Sequence, residues 1–251
     1  MHIIVSKDAS SLGELAGQKA GELIRAALRE RGSAVIILAT GTSQFATLSR
    51  LIGEPDIDWR RVTMFHLDEY LGIPDTHPAS FRKYLMERFI SKVPVENYYL
   101  IDGESDGSKE CDRLNNIMLQ NQVDVALVGI GENGHLAFND PPADFETDKP
   151  YIVVELDEMC RKQQLGEGWF PSIDDVPRFA ISMSIKQIMK SRQIICSVPD
   201  ERKAMAVKNC VEHGVNNMFP ASILQLHPHC FLFLDTASAS RLSPERANSL
   251  T

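Results

Sequence analysis

Apolar and polar positions along this chain follow two alternating rhythms. Short apolar runs at Ile3 to Val5, Ala34 to Ala39, Val62 to Leu67, Val123 to Ile130, Ile152 to Leu156, Gln193 to Val198 and Cys230 to Leu234 have the length and composition of strands. Between them the apolar period lengthens to that of a helix. In Ser10 to Arg31, residues Leu12, Leu15, Ala16, Ala20, Leu23, Ile24, Ala27 and Leu28 form one stripe, with Ser10 or Ser11 as N-cap. The same period marks Ser80 to Ile90, Lys109 to Gln120 and Asp200 to Val211, and a shorter helix runs through Phe45, Leu48 and Leu51. Strands alternating with helices predict an α/β fold: one domain spanning 1–251, a doubly wound, largely parallel sheet with helices on both faces. The polar connection from Asn139 to Lys149 and the stretch from Glu155 to Asp175 break the pattern at Gly166, Gly168 and Pro171. This region, 143–175, reads either as a lid or as a long surface connection.

Composition narrows the class. With 251 residues and 43% hydrophobic content the chain can bury a sizeable core. A net charge of -8 argues against a nucleic-acid surface, which needs clustered cations, but leaves room for a small anion held by a few local ones. The five cysteines form no CxxC pair, so neither a disulfide framework nor a zinc ribbon is implied and a reducing cytoplasm fits. The opening Met1-His-Ile-Ile-Val-Ser is too short for a signal segment, and no apolar run has the length of a membrane span, so no membrane association is expected. Monomer and homo-oligomer both remain open.

Four places carry candidate chemistry. Thr40-Gly41-Thr42-Ser43 follows a strand and opens a helix, where backbone amides and hydroxyls can hold a phosphate; it matches neither GxxxxGK[ST] nor GxGxxG. Val62 to Leu67 leads into Asp68 and Glu69 at a strand terminus, where ligands gather in open parallel sheets. A carboxylate there serves as general base if it faces a substrate C–H; taken alone, either acid reads first as a helix cap or a solvated charge. Val128-Gly-Ile-Gly-Glu-Asn-Gly-His-Leu-Ala-Phe-Asn-Asp-Pro141 puts His135 in a glycine-rich loop, with Asp140 near enough in sequence to orient the imidazole for proton transfer. Lys203 sits near a helix N-terminus, a position unfavourable to a cation unless an anion binds there too. His66, Asp68 and His135 are all conceivable metal ligands, but no HExxH or comparable spacing joins them, so no metal is expected.

Together, Ala39-Thr-Gly-Thr-Ser43, Phe65-His-Leu-Asp-Glu-Tyr-Leu-Gly72 with His77-Pro-Ala-Ser80, Gly129 to Pro141, Arg202-Lys-Ala204 and Leu224-Gln-Leu-His-Pro228 closely resemble the glucosamine-6-phosphate deaminase family over nearly the whole chain. The resemblance implies an amino sugar phosphate as substrate, converted with water into fructose 6-phosphate and ammonia without metal or organic cofactor. It implies Asp68 as the base moving a proton between C2 and C1, and His135 as the ring-opening acid and base. Thr40, Gly41, Thr42, Ser43 and Lys203 match the family's phosphate-binding positions. Three departures stand out. Asn133 occupies a position commonly aspartate, and Asp140 one commonly glutamate. The Arg-Phe-Phe segment whose arginine clamps phosphate is replaced by Cys160-Arg-Lys-Gln-Gln-Leu-Gly-Glu-Gly-Trp-Phe170, leaving Arg161 or Lys162 as substitutes. Ala143, Pro150 and Tyr151 do not reproduce the family's allosteric anion site. The competing readings are a sugar-phosphate lactonase, a deaminase for another amino sugar phosphate, and a non-catalytic sugar-phosphate sensor.

Overall fold

A computed structural model describes residues 1–243. Its strands are β1 (His2–Ser6), β2 (Ala34–Leu38), β3 (Val62–His66), β4 (Asp68–Tyr70), β5 (Asn97–Tyr99), β6 (Val125–Val128), β7 (Tyr151–Glu155), β8 (Phe179–Met183), β9 (Gln193–Val198) and β10 (Cys230–Asp235). Its helices are α1 (Ala9–Arg31), α2 (Phe45–Ile52), α3 (Phe81–Leu85), α4 (Gly107–Met118), α5 (Glu158–Gly166), α6 (Ile185–Met189) and α7 (Ala204–Glu212).

Seven strands form one parallel sheet in the order β1-β10-β9-β6-β2-β3-β5. Successive side chains of a strand point to opposite faces, and both faces are covered here. Ile36, Leu38, Met64, Val125 and Leu127 belong to one buried cluster, and Ile37, Phe65, Ala126 and Val128 to the other. From β2 the chain steps outward to β3 and β5, then returns to β6 on the other side of β2. The connections after β2 and β6 therefore diverge, opening a crevice at their carboxyl ends, where ligands of doubly wound sheets bind.

A second, antiparallel sheet of order β4-β8-β7 lies outside the sequence expectation. The apolar run ending at Leu67 leaves the main sheet at His66, and Asp68 to Tyr70 pair instead with Ala180 to Ser182. The region 143–175 contributes β7 to this sheet and then α5, which packs through Cys160 against Tyr70, Phe138 and Phe170. The N-cap of α1 is Asp8, whose carboxylate accepts the Ser11 amide at 2.8 Å; Ser10 and Ser11 fall inside the first turn. The helix expected over Ser80 to Ile90 forms as α3 capped by Ser80 and followed by a π-turn at Met86–Ile90.

Candidate active site

The crevice holds a cavity of about 400 Å³ lined by the 40–43 turn, Asp68, Phe81, the 129–138 loop, one face of α5 and the turn between β9 and α7. Most residues picked out in the sequence meet there, from four separate segments.

Asp68 is 7% exposed and lines the cavity, and no side-chain hydrogen bond reaches its carboxylate among the described residues. Burial, reinforced by the neighbouring Glu69 charge, pushes its pKa well above the usual carboxylate value. Glu69 faces the other way. Its oxygens accept from Ser80 Oγ at 2.8 Å and from the Arg82 and Phe81 amides at 2.9 and 3.2 Å, so it caps the start of α3. Of the two adjacent acids, one is a cap and the other is free. His66 is fully buried, its Nε2 accepts the Ile101 amide at 2.8 Å, and it does not line the cavity. Burial depresses its pKa to about 3, which keeps the ring neutral.

His135 stands on the cavity wall with Nδ1 3.2 Å from Asp140 Oδ1, leaving Nε2 as the nitrogen for proton exchange. A Cβ on Gly131 would overlap the imidazole, which is why the loop needs glycine at that position. Asn133 knits the group together. Its Oδ1 accepts the His135 amide at 3.1 Å, and its Nδ2 donates to Asp140 Oδ1 at 3.0 Å and to Asp157 Oδ2 at 3.2 Å. The Asp157 amide donates to Asp140 Oδ2 at 3.1 Å. Burial alone would raise the Asp140 pKa, but His135, Asn133 and the Asp157 amide outweigh it and hold the carboxylate below its usual value. Asp140 reaches His135 directly.

Cys160 Sγ, Asp140 and His135 present ligand atoms within 4.8 Å of one another, a set the sequence spacing did not reveal. Burial and the adjacent acids push the Cys160 thiol pKa well up, so it stays protonated, and both Asp140 oxygens already accept amide donors. These donors fit a hydrogen-bonded dyad better than a metal cage.

At the other end, Gly41 adopts φ +92°, a conformation open to glycine, and starts the turn Thr42–Gln44 that runs into α2. Gln44 Nε2 braces Ser43 Oγ at 3.1 Å and the Ser197 carbonyl at 3.2 Å. Lys203 is 7% exposed and lines the cavity, and no carboxylate among the described residues lies within ion-pairing distance of its ammonium. Burial lowers its pKa.

Arg161 is placed elsewhere. Its guanidinium donates to the Ile173 and Val176 carbonyls, and it does not line the cavity. Lys162 pairs on the surface with Glu158 at 2.6 Å. The residues of α5 that do face the cavity are Gln163 and Gln164, joined by Glu167 at its C-cap and by Arg202 from the turn before α7. Gln163 and Glu167 are four apart and share a helix face, a signal hidden in the sequence by the glycines that obscured α5.

Among the described residues, the doubly wound sheet brings a buried free acid, a carboxylate-backed histidine and an unpaired lysine around one cleft, the outline of an acid–base enzyme. Residues 7–231 match the family model described as glucosamine-6-phosphate isomerases/6-phosphogluconolactonase, and the chain belongs to that family. It is 37% identical over 243 residues to a glucosamine-6-phosphate deaminase of Lactobacillus delbrueckii subsp. bulgaricus, covering 96% of this chain and 100% of that one. A solved monomeric glucosamine-6-phosphate deaminase superposes with a TM-score of 0.87 at 31% identity, covering 96% and 99% of the two chains. A 6-phosphogluconolactonase from Trypanosoma brucei shares the fold, with a TM-score of 0.80 at 18% identity over 96% and 98% of the chains.

Proposed function

We propose that this chain converts glucosamine 6-phosphate and water into fructose 6-phosphate and ammonia, using its own side chains alone. Phosphate binds at the 40–43 turn and Lys203, which places the sugar between Asp68 and His135. His135 Nε2, with Asp140 behind it, moves the proton that opens the pyranose ring. Asp68 takes the proton from C2 and returns it to C1. Loss of the C2 proton gives the enolamine and its delivery to C1 gives the C2 iminium, to which water adds before ammonia leaves.

The observation that carries this reading is the pair of buried ionisable side chains, Asp68 and Lys203, that face one cavity without partners among the described residues. Unpaired buried charges are costly, and a phosphorylated substrate with an acidic C–H gives each of them a use. Five unpaired, buried cysteines support a cytoplasmic setting. The position of α5 across the cavity supports closure by the 143–175 region.

The test is ammonia release from glucosamine 6-phosphate, galactosamine 6-phosphate and unphosphorylated glucosamine, with a chelator present. Release from the first alone supports the reading. Preference for the galacto epimer replaces the substrate, and hydrolysis of a sugar-phosphate lactone without ammonia replaces the reaction with that of a lactonase.

A further inference from the structure

We propose that Arg202 grips the substrate phosphate beside Lys203 and sets the preference for a phosphate ester, an inference that rests on the sugar-phosphate reading above. Among the described residues, Arg202 and Lys203 are the arginine and lysine side chains on the cavity wall, and both come from the short turn between β9 and α7. A phosphate dianion facing Lys203 alone would meet one ammonium whose charged form is already disfavoured by burial. A guanidinium keeps its charge at any working pH and offers a planar fork that matches phosphate oxygens.

The turn is built to aim that fork. Asp200 sits at φ +88°, a strained conformation for a residue other than glycine. Its amide is tied to both carboxylate oxygens of Asp235, at 3.3 and 3.2 Å. Its own carboxylate accepts the Arg202 amide at 3.0 Å and Arg202 Nε at 2.9 Å, and lies 2.8 Å from Nη2. One edge of the guanidinium is therefore fixed. The other is unspent, because Nη1 lies 3.6 Å from Glu132 Oε1, too far for a good hydrogen bond. Glu132 and Glu167 flank the two cations, and a bound phosphate takes over as counter-ion.

The experiment compares Arg202→Gln and Arg202→Lys with wild type in two measurements. One is steady-state ammonia release from glucosamine 6-phosphate. The other is the thermal shift produced by inorganic phosphate, which needs no turnover. Arg202→Gln is expected to raise KM by about tenfold or more with kcat changed by less than about threefold, and to abolish most of the phosphate-induced shift, with Arg202→Lys intermediate. An unchanged KM and an unchanged phosphate shift would overturn the assignment, as would a fall in kcat with KM unaltered. If the wild type releases no ammonia, the deaminase reading fails; loss of the phosphate shift in Arg202→Gln still supports the clamp, and its retention overturns it.

Discussion

Asp68 and Glu69 are neighbours on β4 whose carboxylates do opposite jobs: Glu69 is spent on the α3 amides, while Asp68 faces the cavity with no side-chain partner among the described residues. Alternation along a strand separates them, and the charge of one shapes the protonation of the other.

Asp68→Asn should lower kcat by about 10²- to 10⁴-fold, the usual range for a positioned acid or base. The folded pKa of Asp68 lies above its unfolded value, so its contribution to stability is present at low pH and lost as pH rises through the folded value. The variant should therefore unfold at a higher temperature than wild type at neutral pH and lose that advantage in acid. Calorimetry at the two pH values checks this, and a lower Tm at neutral pH would argue against a free buried carboxylate.

Glu69→Gln removes the like charge beside Asp68. The acid limb of kcat/KM, which should lie above the ordinary carboxylate range in wild type, is expected to move down. The same change weakens the α3 cap and should cost about 1 kcal/mol in denaturant unfolding.

Lys203 loses its proton more readily than a surface lysine. Inhibition by inorganic phosphate should consequently weaken as pH rises through a value below the usual 10.5, and Lys203→Met should abolish that pH dependence and raise KM. A flat phosphate affinity between pH values of about 7 and 10 in wild type would contradict the assignment.

Much of this site was legible before the fold was known, and the failures have physical causes. Asp68, His135 and the 40–43 turn announce themselves because strand ends and glycine turns leave local marks. The three-residue strand β4 and its partner β8 pair across more than a hundred residues, which no local period reports. Arg161 was the natural substitute for a missing cation, but it is two residues from Gln163, hence on the opposite side of α5 when Gln163 faces the cavity. A sequence shows a charge and not its direction.

Asn133→Asp should harm. Asn133 Nδ2 donates to two carboxylates, and an acid at that position would face Asp140 and Asp157 at about the present 3.0 and 3.2 Å. The expected loss is about 1 to 3 kcal/mol at neutral pH, recovered in acid as the cluster protonates. Urea unfolding at the two pH values decides it.

Glu167→Gln removes a negative charge beside Gly41 and the two cations. Phosphate and substrate should bind a few-fold more tightly, read as a lower inhibition constant and a lower KM.

The central claim is that Asp68 carries a proton from C2 to C1 of the opened sugar. The most direct measurement follows deuterium from C2 of labelled glucosamine 6-phosphate in wild type and Asp68→Asn. Wild type should break the C2–deuterium bond, release ammonia and leave part of the label at C1 of fructose 6-phosphate, while the variant should leave the label at C2 of unreacted substrate. Wild-type-like loss of the label from C2 with ammonia release in Asp68→Asn would contradict the account.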